Sequence, residues 1–219
     1  MFKEAILVPL EGERWLGRLL IGGGLLFISF GIVPLWILFG YLVRFIEAVL
    51  EEDKEFPPSF DYWGLLMHRG GKAFAIFVVY VFVPTVLALI GGAYLFFAPV
   101  NDSITPAQAR PPLTAAAVLY PVTLYAFPAA LLEFARHDRV RAGFSPRRLG
   151  RHWFSWKYAW YWLLAVVAVL TIHALAVLVA LTAIGVVAIP SILFYSYLVG
   201  TYLLTTGTRA QFDVGGATS

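Results

Sequence analysis

The sequence predicts an all-α fold, a polytopic membrane helix bundle. Only 13% of its 219 residues are charged and 60% are hydrophobic, whereas a soluble domain carries about 25% charged residues. The mean hydropathy of +0.79 agrees with this assignment. Four long runs without a charged residue supply the spans. We expect one integral membrane domain over residues 1–219. The chain has no cysteine, which excludes disulfides and thiolate chemistry.

The charge-free runs locate the expected helices. They comprise 25, 29, 22 and 51 residues, and one span needs about 20 residues. The longest run, residues 158–208, must therefore hold two helices, with a break near Gly185 and Pro190 because proline removes a backbone donor. The expected segments are 15–31, 34–50, 73–98, 113–135, 158–182 and 187–206.

The first run, residues 19–43, allows either one tilted helix or a hairpin of two short helices that turns near Gly31 and Pro34. Lysine and arginine favour the cytoplasmic side. A single helix places 12 basic residues inside and 4 outside, whereas a hairpin places 15 inside and 1 outside. We favour the hairpin with both termini cytoplasmic; whether its short helices cross fully stays open. The run is too long for a cleaved signal peptide and lacks a small-residue cleavage site.

Two charged segments, which we call the elbows, lie between the spans on the predicted cytoplasmic side. In the first elbow, residues 44–72, Trp63, Leu66 and Met67 share one helical face, a pattern typical of a helix in the membrane interface. In the second elbow, residues 133–157, a serine–proline pair precedes an arginine-rich turn. We therefore expect two cytoplasmic amphipathic elbow helices.

Ionisable residues within or beside the spans are functional candidates, because burying charge in a membrane is costly. His173 could relay protons or bind a metal; alternatively, it makes one hydrogen bond to a neighbouring helix. Arg44, Glu47 and Glu133 lie near helix ends, and Arg44 could pair with Glu133 or snorkel to the head groups. One intramembrane histidine cannot build a zinc site. We therefore expect no metal, no cofactor and no catalytic residue.

Arginines dominate the second elbow, and their cluster could bind acidic lipid, a phosphorylated ligand or the acidic face of a partner protein. Alternatively, it could only hold the topology. The cluster comprises Arg136, Arg139, Arg141, Arg147, Arg148 and Arg151.

Helix breakers interrupt two spans. Pro84 and the Gly91-Gly92 pair lie in the third segment, and Pro121 and Pro128 lie in the fourth. Breakers open backbone groups to substrates in some transporters, but they are also common packing devices in membrane helices.

Three stretches carry a family resemblance: GYLVRFIEAVLEEDKEFPPSFDYWGLL (40–66), PAALLEFARHDRVRAGFSPRRL (128–149) and ILFYSYLVGTYLL (192–204). The first is the most specific, with GYLVR, an acidic linker, prolines and an Asp-aromatic-Trp-Gly unit. The chain resembles the domain of unknown function 4013 family of archaeal integral membrane proteins, which is common in halophiles. The resemblance implies an archaeal plasma-membrane location and brings no activity, substrate or catalytic residue.

Three functions fit these features. The leading one is a non-enzymatic accessory, assembly or scaffold subunit of a membrane complex. The second is a small oligomeric transporter or permease that uses the broken helices and His173. The third is a lipid-modifying enzyme equipped with Glu133 and the arginines. We expect as partners membrane lipids, including anionic ones, and other membrane subunits or further copies of the chain, but no nucleic acid.

Overall fold

The computed structural model describes residues 2–12, 14–29, 31–51, 56–101, 103, 105–180 and 182–213, and side-chain surroundings within these ranges except at 183–187 and 210–213. These residues are mostly helical and contain no β-strand. The helices are α1 (Phe2–Leu7), α2 (Trp15–Phe27), α3 (Ile32–Glu51), α4 (Trp63–Phe97), α5 (Arg110–His137), α6 (Pro146–Trp153), α7 (Trp156–Ala180) and α8 (Ala183–Asp213). Short 3-10 turns cover Val8–Leu10, Pro106–Ala109 and Val140–Phe144.

Five helical segments within the described ranges are long and apolar enough to cross a membrane. They are Ile32–Glu51, Trp63–Val100, Pro106–His137, Trp156–Ala180 and Ala188–Arg209. Helix α2 is apolar but has 13 residues, which gives it a length of about 20 Å. The prediction of an all-α, polytopic membrane helix bundle is confirmed.

The local structure differs from the predicted boundaries in two places. No separate helix forms in the first elbow, because α4 begins at Trp63 and continues without a break to Phe97. The predicted turn between residues 182 and 187 lies slightly earlier in the structure: α7 ends at Ala180 and α8 begins at Ala183, so Pro190 lies inside α8. A proline kinks a helix without ending it when neighbouring groups satisfy the freed backbone, as is usual in membrane bundles.

Helices α3 and α4, α4 and α5, and α7 and α8 pack as antiparallel pairs. Helix α4 packs between α3 and α5, and the Thr123 hydroxyl of α5 donates to the Tyr80 carbonyl of α4 at 3.2 Å. Helices α7 and α8 form a long pair, against which α2 packs with its Gly22 on Phe194. Helix α1 lies beside the same pair, where the Tyr195 hydroxyl donates to the Ile6 carbonyl at 2.7 Å.

Two glycines set the close approach of α3 and α4. A Cβ added to Gly70 would lie 1.6 Å from the Trp36 carbonyl oxygen, and one added to Gly40 would lie 2.0 Å from the Leu66 carbonyl oxygen. Real side-chain atoms cannot occupy such positions, so the helix backbones meet only because both side chains are absent. Small residues at membrane helix interfaces commonly serve this purpose.

This connectivity gathers the charged segments on one side of the bundle, which we call the charged side. It comprises the start of α2, the first elbow between α3 and α4, the second elbow between α5 and α7, and the end of α8. The opposite side holds the turns after α2, α4 and α7. Among the basic residues described beside the ends of the five long segments, Arg110 is the only one on the opposite side.

Candidate functional site

Glu133 forms a buried pair with His152 on the charged side. The carboxylate oxygen Oε1 lies 2.9 Å from the His152 Nε2, and the two residues are 1% and 2% exposed. The His137 Nδ1 lies 3.5 Å from the other carboxylate oxygen. Glu133 belongs to α5 and His152 to α6, so the pair fastens the second elbow to the bundle.

Tyrosine hydroxyls fix the second elbow at two further points. Tyr125 donates to the Trp153 carbonyl at 2.9 Å, and Tyr80 donates to the Gly143 carbonyl at 3.0 Å. Leu149, which is 2% exposed, inserts into the apolar core between these contacts. The elbow is therefore a packed part of the bundle.

Glu47 belongs to a separate ionic network. Its carboxylate accepts a short hydrogen bond from Arg69. The Arg69 Nε and the Lys72 Nζ lie 3.8 Å and 3.6 Å from the Asp138 carboxylate. The network joins α3 and α4 to the residue that follows α5. Its groups are partly solvated, and such pairs contribute about 1 kcal/mol or less each.

Arg44 does not pair with Glu133, and the hypothesis of that ion pair is wrong. The Arg44 guanidinium donates to the Ser59 carbonyl at 3.1 Å and to the Asp61 carbonyl at 3.3 Å, and it lies 5.6 Å from the Tyr62 ring centroid. Glu133 pairs with His152 instead. The first elbow's backbone carbonyls bind Arg44, and an imidazole of the second elbow binds Glu133, so each charge finds its partner in its own elbow.

His173 is half-buried and contacts the neighbouring helix. Its Nδ1 lies 2.8 Å from the Val169 carbonyl and 3.3 Å from the Ser196 hydroxyl of α8. Its ring packs edge-on against Tyr197 at 5.9 Å. This geometry matches the interhelical hydrogen bond that was the alternative to a proton relay or metal site. Within the described residues, no group of three histidine, aspartate or glutamate side chains could hold a metal ion.

The arginines of the second elbow point away from the packed core. Arg136, Arg139, Arg141, Arg147 and Arg151 are exposed, and Arg148 is half-buried. Among the described residues, none of Arg139, Arg141, Arg147, Arg148 and Arg151 forms an ion pair. Two large aromatic side chains lie exposed beside them, Phe154 at 91% and Trp156 at 82%.

Two apolar cavities open along the α7–α8 pair. One of about 460 Å³ lies between α1, α7 and α8 and includes Thr171, Ile172 and Tyr195 in its wall. Another of about 530 Å³ lies between α2 and α8. His173 does not line either cavity. A third and larger cavity, of about 850 Å³, lies beside the first elbow and contains two arginines, Arg14 and Arg18.

Sequence reasoning missed two buried polar groups. His152 was not identified as buried, although it lies three residues after Leu149, a spacing that places both side chains on one helical face. Arg18 entered the sequence analysis only as one of the basic residues counted on each side of the membrane. It is 7% exposed within an otherwise apolar helix, and an isolated charge in such a helix is a usable signal for a special environment.

The five long apolar helices, together with α2 and the charged side, define a polytopic α-helical membrane protein. A sequence model of the family described as "Protein of unknown function (DUF4013)" matches residues 24–187. The match covers most of the chain, which therefore belongs to the domain of unknown function 4013 family. Comparisons with curated proteins and with solved structures found no match.

Proposed function

We propose that this protein is a non-enzymatic accessory, assembly or scaffold subunit of a complex in the cell membrane. The observation that carries the proposal is the second elbow, where buried contacts hold a helix firmly while its arginines stay exposed. A fixed backbone that presents unpaired guanidinium groups suits recognition of carboxylates or phosphates. The partner we infer is a membrane subunit with an acidic cytoplasmic face.

The charged side faces the cytoplasm in this proposal, and both termini lie there. The positive-inside rule supports this orientation, since arginine and lysine in short loops favour the cytoplasmic side. The two elbows and the end of α8 carry these residues, whereas Arg110 stands alone among the described ones near the opposite helix ends.

Anionic lipid is a second partner in this proposal, and nucleic acid is not. Phe154 and Trp156 are exposed next to the arginines at the start of α7. Aromatic rings favour the membrane interface, and basic residues close to a bilayer gain about 1 kcal/mol each from anionic lipids. The elbow therefore lies where lipid head groups would border the protein partner.

Two positive observations favour a scaffold over the other two functions. His173, the mid-span candidate for transport, is committed to contacts within the α7–α8 pair. The Glu133–His152 pair, the best acid–base candidate for a lipid enzyme, is enclosed by packing with both members nearly fully buried.

Purification from native membranes in a mild detergent tests the proposal. Wild type should retain a stoichiometric partner, and changing Arg139, Arg141, Arg147, Arg148 and Arg151 to glutamine should reduce its recovery at least about tenfold, because the charge-assisted contacts are lost. Raising the salt concentration should release the partner, since the screening length falls from about 10 Å at 0.1 M to about 3 Å at 1 M.

The matched control changes the same five arginines to lysine, which preserves the charge and should preserve recovery in part. Two results contradict the proposal. One is a monodisperse wild-type protein without any partner; the other is full recovery of the partner by the glutamine variant.

A further inference from the structure

The cavity beside the first elbow has a wall unlike those of the two apolar cavities. Helix α2 supplies Gly17, Arg18 and Ile21 to one wall, and Arg14, the residue before the helix, adds to it. Residues 56–61 supply the other, which includes two phenylalanines and the Asp61 carboxylate. Its volume is about 850 Å³, a size common for cavities that bind small ligands.

Arg18 is the central polar group of this cavity. It donates to the Pro57 carbonyl at 2.7 Å and to the Glu11 carbonyl at 2.5 Å. Both acceptors are neutral, and the buried Nε has no hydrogen-bond partner among the described residues. No described carboxylate forms an ion pair with Arg18. Among the described residues Arg18 is thus a buried cation without an anionic partner, an arrangement that is costly until an anion joins it.

The cavity lies alongside an apolar, membrane-spanning segment, and this position raises the free-energy cost of leaving Arg18 without an anion. The Phe60 ring packs against Phe194 at 5.9 Å, and the Phe56 ring packs against Tyr202 at 6.2 Å. Both contacts lie within the apolar segment Ala188–Arg209. The first elbow therefore folds back alongside a membrane-spanning helix, where an uncompensated charge is disfavoured.

Arg14 adds a second guanidinium to the same cavity. It immediately precedes α2 and lies four residues before Arg18, and both arginines line the cavity. Arg14 is exposed and forms no ion pair with any described residue. Between them, Gly17 leaves open space, since nothing lies within 4 Å of a Cβ built there.

Among the described residues that line the cavity, the Asp61 carboxylate is the one that would repel a bound anion. The Asp61 carboxylate accepts a short hydrogen bond from the Ser59 hydroxyl, and the Asp61 carbonyl accepts from Arg44. Among the described residues of the wall, two guanidinium groups face one carboxylate, and this local balance favours an anion. Guanidinium groups bind phosphate oxygens through paired hydrogen bonds.

We propose that this cavity binds a phosphate ester, with Arg14 and Arg18 as its ligands. The phosphate could belong to a lipid head group or to a soluble compound, and Phe56, Phe60 and Ile21 offer an apolar surface to the rest of the molecule. The site is separate from the second elbow, and the partner-binding proposal can fail without affecting it.

Thermal unfolding of the purified full-length protein in a neutral detergent tests this site. The probes are dihexanoyl phosphatidic acid, inorganic phosphate and dihexanoylglycerol. Phosphatidic acid should raise the melting temperature, because a ligand that binds only the folded state stabilises it. A shift with phosphatidic acid alone assigns the site to a lipid phosphate, and a shift also with inorganic phosphate assigns it to the phosphate group itself.

Variants locate the binding site. Arg14→Gln should weaken phosphatidic acid binding about tenfold through the loss of charge-assisted hydrogen bonds, and Gly17→Leu should block binding by filling the cavity. Arg110→Gln, which changes an exposed arginine on the opposite side of the bundle, is the matched control and should bind like wild type. Arg18 is left intact because it also holds the first elbow.

Three results would overturn the site. The first is the absence of any shift with both phosphate probes. The second is an equal shift with dihexanoylglycerol, which lacks phosphate. The third is wild-type affinity in both Arg14→Gln and Gly17→Leu.

Discussion

Replacement of Gly70 by alanine is expected to lower the free energy of unfolding by about 3 kcal/mol, the upper end of the usual cost of overpacking. The added Cβ would lie 1.6 Å from the Trp36 carbonyl oxygen and 2.7 Å from the Gly40 nitrogen. Both obstacles are backbone atoms, so α3 and α4 must move apart. Denaturant unfolding in detergent, followed by tryptophan fluorescence, measures the change.

The adjacent glycine provides the control. A Cβ at Gly71 would meet only the Trp36 side chain, at 3.8 Å. Gly71→Ala should therefore stabilise the helix by about 0.5–1 kcal/mol, as is usual for glycine to alanine within helices. Equal stability of the two variants would show that the close contact between α3 and α4 is wrong.

Replacement of Glu133 by alanine is expected to cost about 3 kcal/mol, since it removes a buried hydrogen-bond partner and leaves a cavity. Glu133 and His152 are both nearly fully buried, so water cannot easily replace the lost carboxylate. The second elbow should loosen, and trypsin should cleave at Arg147 or Arg151 faster than in wild type.

Glu133→Gln keeps an oxygen that can accept from the imidazole and should cost clearly less. A double-mutant cycle with His152→Ala isolates the pair and should give a coupling of at least about 1 kcal/mol. Additive effects of the two replacements would contradict the contact between α5 and α6.

The helical fold was predictable because charge-free length determines membrane spans directly. The position of the last turn was less predictable. Gly185 and Pro190 carry the sequence signal for a break, but α8 runs through Pro190. A proline in a membrane helix can be satisfied by neighbouring helices. The prediction of a separate helix in the first elbow is wrong for another reason. The residues expected to form it, including Leu66, are the first turns of α4, which continues without a break into the membrane span.

The candidate site was predictable only in part. Exposed arginines are recognisable from composition, and the interhelical hydrogen bond of His173 follows from its isolation in an apolar run. The partners of Glu133 and Arg44 were not predictable, because they depend on how each elbow folds back onto the bundle. The buried environment of Arg18 was not predictable either, because it depends on a hydrogen bond to the carbonyl of Pro57, which is distant in the sequence.

The proposed partner surface depends on one central claim, that the charged side faces the cytoplasm. The chain has no cysteine, so single cysteines can report the orientation without background. Arg147→Cys places a thiol at an exposed position of the second elbow, and Val100→Cys places one at an 80% exposed position between α4 and α5. Helix α5, which is 28 residues long, lies between the two positions in the chain. Its length is about 42 Å.

Labelling of intact cells with a membrane-impermeant maleimide, before and after permeabilisation, tests this orientation most directly. The cysteine at position 100 should react in intact cells, and the cysteine at position 147 should react only after permeabilisation. The opposite pattern, or equal labelling of both sites in intact cells, would contradict a cytoplasmic charged side.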